Sequence, residues 1–354
     1  MRRWLPGIIA ALLAASCGGT TTPTPPPPVE NPPKITCPAP QTAQLATGSS
    51  IAVNYTATAT SGRAPVSVAC VPPSGSSFSI GLSTVTCTAT DALQRTDVCS
   101  FAVTVVPPPT LVFTRFVAFG DSITAGEDGT AGGPPTGGLC QPVVTSAARL
   151  RPQVILPAAQ TYPGQLQQKL SARYQTQSPS VLNRGCPGEA VTGTNTLKRF
   201  DAVVGTRQQD VVLIMEGSND LDNVAGASPS VQDGVIGSAA AGLRQMVNDA
   251  RQVGLRPLLA TIPPMNAAGS RGGGAGLVTM LNDRIRQIGP AANVPIVDVY
   301  AAFNGNLTLL GADGLHPNAN GYTIIADAFL DTIKGTLEVN TPMVPSLAPM
   351  LRRR

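Results

Sequence analysis

Residues Arg115-Phe116-Val117-Ala118-Phe119-Gly120-Asp121-Ser122-Ile123-Thr124 decide how this chain is read. An apolar run too brief for a helix stops at a small-residue turn carrying a serine, as expected of a buried strand whose carboxyl end leaves a hydroxyl exposed. Four similar runs follow: Ser180-Val181-Leu182-Asn183, Val211-Val212-Leu213-Ile214-Met215, Pro257-Leu258-Leu259-Ala260-Thr261 and Pro295-Ile296-Val297-Asp298-Val299. Helical stretches lie between them, at Leu166 to Tyr174, Val235 to Val253 and Leu277 to Ile288. This alternation predicts βαβ units, hence an α/β domain with a parallel sheet covered by helices on both faces. Sites in such sheets lie beyond the carboxyl ends of the strands, which is where the chemistry-bearing residues fall.

A serine hydroxyl is a poor nucleophile until a base takes its proton and a third group holds that base in one tautomer. The chain has one histidine, His316, in Asp313-Gly314-Leu315-His316-Pro317 after the fifth run. In a loop, this spacing lets the Asp313 carboxylate reach the imidazole Nδ1 while Nε2 faces Ser122. Two further segments follow strands: Asn183-Arg184-Gly185-Cys186-Pro187-Gly188-Glu189 and Gly217-Ser218-Asn219-Asp220. The Gly188 N–H and the Asn219 amide are candidate oxyanion donors, the plainer readings being a turn and an Asx cap. Glu127 and Asp128, close after the serine, read as solvated loop carboxylates, the other reading being acid catalysts. No G-x-S-x-G nucleophile elbow occurs anywhere in the sequence.

Outward from this region the text changes. Met1-Arg2-Arg3, the apolar run Trp4 to Ala15 and the small residues before Cys17 form an export signal over residues 1–16, too short to span a bilayer. Cys17 directly after small residues resembles a lipobox and is the lipidation candidate; the other reading is ordinary cleavage near Ser16. A membrane partner is expected only through that anchor. Residues 17–33 are a Thr/Pro-rich linker. Pro107-Pro108-Pro109 marks a hinge over 107–111, and 338–354 reads as a tail. Charged residues make up 12% of the 354 and the formal net charge is +4, so there is no basic stripe for nucleic acid. In an exported chain six of the seven cysteines are read as disulfides rather than metal ligands, because their spacings are wide. Cys140 and Cys186 are expected to pair, since the other four fall in one earlier stretch.

That stretch alternates apolar and polar residues with period two, as in Ile51 to Tyr55 and Phe101 to Val105. Cys37-Pro38, Cys70-Val71-Pro72-Pro73-Ser74-Gly75-Ser76, Val85 to Asp91 and Cys99-Ser100-Phe101 together resemble a hyalin repeat over residues 34–106. The resemblance implies an all-β, immunoglobulin-like sandwich and leaves the pairing among Cys37, Cys70, Cys87 and Cys99 open.

Four blocks in order, Phe119 to Ser122, Asn183 to Gly188, Gly217 to Asp220 and Asp313 to Pro317, resemble the SGNH or GDSL hydrolase family across residues 112–337. The resemblance implies a three-layer, flavodoxin-like sheet and a two-step acyl-enzyme route needing no metal or cofactor. It makes Ser122 the nucleophile and, through its own N–H, an oxyanion donor beside Gly188 and Asn219. His316 becomes base then acid, and Asp313 orients it. The long Gly/Pro-rich insertion from Glu127 to Thr161 departs from a compact domain and is expected to roof the site. Expected substrates are carboxylic esters of a small molecule, lipid or glycan: a lipase-like esterase, or alternatively a carbohydrate O-acetylesterase. A reading of another class is an adhesion protein with an inactive hydrolase domain.

Overall fold

The computed structural model describes residues 30–131, 140 and 153–339. The export signal, Cys17, most of the Thr/Pro linker, the middle of the insertion and the tail beyond Val339 lie outside the described residues. The chain divides into two compact units. Of the described residues, one takes those up to Pro40 with Asn54–Ser76 and Thr84–Ala102; the other takes those from Val103 with Gln41–Val53 and Ser77–Ser83.

The N-terminal region is strand-rich. A four-stranded sheet runs in the order Gln41–Gln44, Thr96–Val106, Gly81–Thr90, Ser67–Val71, and two small two-stranded sheets accompany it. Val85, Cys87 and Ala89 are buried from one long strand and Phe101, Val103 and Val105 from its neighbour, alternating with more exposed residues. Disulfides join Cys37 to Cys99 and Cys70 to Cys87, the latter pair lying directly opposite each other in the register.

The α/β region is built on β1 (Arg115–Gly120), β2 (Ser180–Gly185), β3 (Val211–Met215), β4 (Arg256–Ala260) and β5 (Ile296–Val297). All four pairings are parallel and the order is β2-β1-β3-β4-β5, the flavodoxin-like arrangement. Alternate strand residues feed two cores. Val117, Phe119, Val212 and Ile214 pack with residues of three helices, Thr196–Gly205, Pro229–Gln252 and Val278–Ala292. Phe116, Ala118, Leu213 and Met215 pack with Tyr162–Arg173 and Ala319–Leu337. The result is the expected three layers.

Some boundaries differ from the sequence reading. The fifth run yields only two strand residues, because Asp298 caps a helix from Val299 to Phe303 by accepting from the Ala301 N–H. Thr110 and Leu111, read as hinge, pair with Glu338 and Val339, read as tail. Local propensity gave no sign of this two-residue pairing, which rests on residues far apart in sequence meeting in space.

Candidate functional site

The serine turn is a single helical turn, Ser122–Ala125, with Asp121 as its cap: Asp121 Oδ1 accepts from the Ile123 N–H at 2.9 Å. Gly185, ending β2, lies where a Cβ would stand 2.0 Å from the Ala125 nitrogen, so strand and turn meet backbone to backbone. Ser122 thus projects from a fixed point at the carboxyl end of β1.

His316 comes from the loop after the Val299–Phe303 helix, held by a bridge between Leu310 and Pro317 and by the Gly311 N–H donating to the His316 carbonyl at 2.7 Å. Its Nδ1 is 2.6 Å from Asp313 Oδ2, and Nε2 is 2.8 Å from Ser122 Oγ. Asp313 Oδ1 also accepts the backbone N–H groups of Leu315 and His316, each at 3.0 Å. Burial works to raise the Asp313 pKa, but the His316 side chain and these N–H groups outweigh it and hold the carboxyl down at about 2. An ionised Asp313 fixes the proton on Nδ1 and leaves Nε2 free to accept from the serine.

Asn219 lies in the first turn of the helix Ser218–Val224, after β3. Arg271 Nη2 donates to its Oδ1 at 2.9 Å, and its Nδ2 donates one hydrogen to the Glu189 carbonyl at 2.7 Å. The amide is thereby oriented, and its second N–H has no partner among the described residues. Gly188 sits at φ +73°, a left-handed conformation that suits glycine. Its loop is clamped twice. Asp220 accepts the Val191 and Thr192 N–H groups at 2.8 and 2.9 Å and the Thr192 hydroxyl at 2.7 Å. Glu189 is paired with the fully buried Arg199, which also donates to the Gly120 carbonyl at 3.2 Å and stacks over Phe119 at 3.9 Å. A third tie is covalent, Cys186 being bonded to Cys140.

The structure therefore brings Ser122, His316, Asp313, Asn219 and the Gly188 loop to one end of the sheet. It corrects the reading of Glu127. That residue is 4% exposed, not solvated, and its Oε2 lies 3.3 Å from His316 Nε2. Arg271, Arg199 and Glu189 went unread as well, because an isolated arginine or glutamate carries no spacing signal. Beneath the serine turn, Glu216 is wholly buried, and neither of its oxygens nor Asp121 Oδ2 has a hydrogen-bond partner among the described residues. Burial pushes Asp121 up to about 7 and Glu216 well above the carboxylate range, with Asp121 adding to the latter. Among the described residues no group of three or more His, Cys, Asp and Glu is placed to hold a metal ion.

A β2-β1-β3-β4-β5 sheet with a Ser-His-Asp chain beyond its strand ends defines a flavodoxin-like α/β protein with a site suited to acyl transfer. Comparison narrows this. Residues 118–324 match the model of the GDSL-like lipase/acylhydrolase family, more than half of the chain, and the chain belongs to that family. Residues 30–105 match the HYR domain. A curated relative, a multidomain esterase of Ruminococcus flavefaciens, is 24% identical over 158 residues. That match takes in 43% of this chain and 18% of the relative, so the chain corresponds to less than a fifth of it. Similar solved structures include a lipase/acylhydrolase from Enterococcus faecalis, at 22% identity and TM-score 0.47, covering 66% of this chain and 100% of that one. Another is the acetylxylan esterase Axe2 from Geobacillus stearothermophilus, at 25% identity and TM-score 0.45, covering 63% and 95%.

Proposed function

We propose that the protein is an exported serine esterase that hydrolyses carboxylic esters through an acyl-enzyme. The observation that carries this reading is the hydrogen-bonded chain Asp313–His316–Ser122, with successive contacts of 2.6 and 2.8 Å. Ser122 Oγ attacks the ester carbonyl carbon while its proton passes to His316 Nε2 and the carbonyl π pair moves onto oxygen. The Ser122 N–H, the Gly188 N–H and the second Asn219 N–H receive that oxyanion. The tetrahedral intermediate then expels the alkoxide, which takes the proton from Nε2, and water repeats the sequence to release the acid. Asp313 keeps the imidazole oriented and stabilises its charged form. No step calls for a metal or cofactor. Export is supported by the Cys37–Cys99, Cys70–Cys87 and Cys140–Cys186 bridges, since such bonds persist outside reducing compartments. The N-terminal export signal and the Cys17 anchor belong to the same reading. The substrates are acyl esters of the lipase/esterase type.

The test is covalent labelling by an organophosphonate, with hydrolysis measured on p-nitrophenyl acyl esters and on acetylated glycans. Modification of Ser122 with loss of activity, unaffected by EDTA, is the expected result. Labelling elsewhere, or loss of activity in EDTA, overturns the mechanism. Acetate release from glycans without hydrolysis of the acyl esters would move the substrate to the carbohydrate side.

A further inference from the structure

His316 has a second carboxylate that the mechanism above does not use. Glu127 begins a strand, Glu127–Ala131, paired antiparallel with Gln153–Ile155, directly after the serine turn. Its backbone is anchored on both sides: the Leu156 N–H donates to the Gly126 carbonyl at 2.9 Å, and the Tyr322 hydroxyl donates to the Glu127 carbonyl at 2.5 Å. The side chain is buried, with Oε2 3.3 Å from Nε2, the nitrogen that faces Ser122 Oγ. Asp313 holds the opposite nitrogen. Both imidazole nitrogens therefore face a carboxylate.

What this contact does depends on the proton at Nε2. While Nε2 is bare, an ionised Glu127 sets an oxygen lone pair against a nitrogen lone pair, which is unfavourable. Once Nε2 has taken the serine proton, the same oxygen faces an imidazolium N–H and the contact becomes attractive. An interaction that improves on passing from ground state to transition state is one that accelerates the chemical step. We propose that Glu127 is a further catalytic residue, a carboxylate on the reactive nitrogen of His316 that stabilises the imidazolium formed as Ser122 attacks. This rests on the serine-esterase reading. In the step itself the proton moves from Oγ to Nε2 and Glu127 gains a hydrogen-bonding partner without gaining the proton.

The surroundings make the group responsive to pH. Burial pushes Glu127 up to about 7; Arg271 opposes this, while Asp121, Asp313 and Asp128 reinforce it. The groups facing it are thus His316 and Asp313 from one loop, Asp121 and Asp128 from its own segment, Arg271 from the loop after β4, and the Tyr322 hydroxyl on its carbonyl. Nε2 acts as base only while it carries no proton, and a charged Glu127 beside it favours the imidazolium.

The chain's single histidine makes the test specific. Titration of His316 by 15N NMR in the parent and in Glu127→Gln reports the contact without reference to activity, and a pH profile of kcat reports its catalytic use. In Glu127→Gln, the imidazole midpoint and the acid limb of kcat should both move to lower pH by about one unit, the size of a neighbouring-charge effect. Plateau kcat should fall about tenfold at nearly unchanged KM, as when an interaction made only in the transition state is lost. Glu127→Asp, which keeps the charge but withdraws it, should fall between parent and Gln. Phosphonate titration of Ser122 counts competent sites, so misfolded protein does not enter kcat. An unmoved midpoint overturns the contact, and a moved midpoint with unchanged plateau kcat overturns the catalytic role. A parent that phosphonate does not label at Ser122 breaks the esterase reading instead, and the NMR arm still decides the contact.

Discussion

Two segments of the chain deliver a carboxylate to the same imidazole, and they do it in opposite ways. In Gly311–Pro317 the backbone curls round Asp313, which accepts two N–H groups and the histidine, and the acid is held at about 2. In Gly126–Ala131 the backbone is tied to a neighbouring strand and to Tyr322, no backbone N–H among the described residues donates to the Glu127 side chain, and burial lifts it to about 7. The same functional group is a permanent anion in one place and a titrating group in the other. The hydrogen-bonded His316 ring, followed by the two N–H groups, outweighs burial at Asp313, whereas burial prevails at Glu127.

The largest effect should come from the donor-rich side. Asp313→Asn keeps the shape but favours the wrong tautomer, and kcat should fall by about 10⁴ on a chromogenic ester. A loss within tenfold would mean that Glu127 can take over the orienting task, erasing the contrast. Next, Asn219→Ala removes an oxyanion donor and no carboxylate, so kcat should fall roughly 10² to 10³ with little change in KM. Its pH profile should overlay that of the parent; a displaced acid limb would place Asn219 in the charge network through Arg271.

A smaller effect tests the point where the two segments touch. Gly129, at φ +82°, lies where a Cβ would come within 2.5 Å of Asp313 Oδ1. Gly129→Ala should cost about 1 to 3 kcal/mol of stability for the strained backbone alone, and displace Asp313, lowering kcat. Equal melting temperatures and equal kcat in both proteins would contradict that contact. The smallest expected effect is on stability against pH. Folding raises Glu127 from 4.5 to about 7, so between those values the folded state holds the extra proton and stability drops as pH rises through 7. Glu127→Gln should therefore raise the melting temperature more at pH 8 than at pH 4. Asp313, lowered from 3.8 to about 2, stabilises the fold above pH 3.8, and that contribution disappears as pH falls through 2. A Gln variant with the same advantage at both pH values would show that Glu127 is ionised, or neutral, in folded and unfolded chains alike.

The contrast also marks what could be read from sequence. Asp313 and His316 were legible because a three-residue spacing in a loop is itself a geometric statement, and Ser122 because it ends an apolar run. The parallel sheet followed from the alternation of runs, and its flavodoxin-like arrangement from the family resemblance. Glu127 was misread, since neither its charge nor its loop setting tells whether a later helix residue such as Tyr322 will close over it. Arg271 lies 52 positions from the Asn219 it orients, and Arg199 meets Glu189 only after a helix has formed. Contacts of this kind are created by packing, and no local pattern encodes them.

The short pairing of Thr110–Leu111 with Glu338–Val339 reaches beyond the site. Glu338 is further held by Arg173 at 2.7 Å and by the Tyr174 hydroxyl at 2.7 Å. Two short strands, one just before β1 and one after the Ala319–Leu337 helix, are therefore zipped side by side, as expected of a unit that tolerates circular permutation or insertion into a host loop. Joined there by a short linker and reopened at an exposed turn, it should keep the β2-β1-β3-β4-β5 order, because that pairing already brings its two ends together.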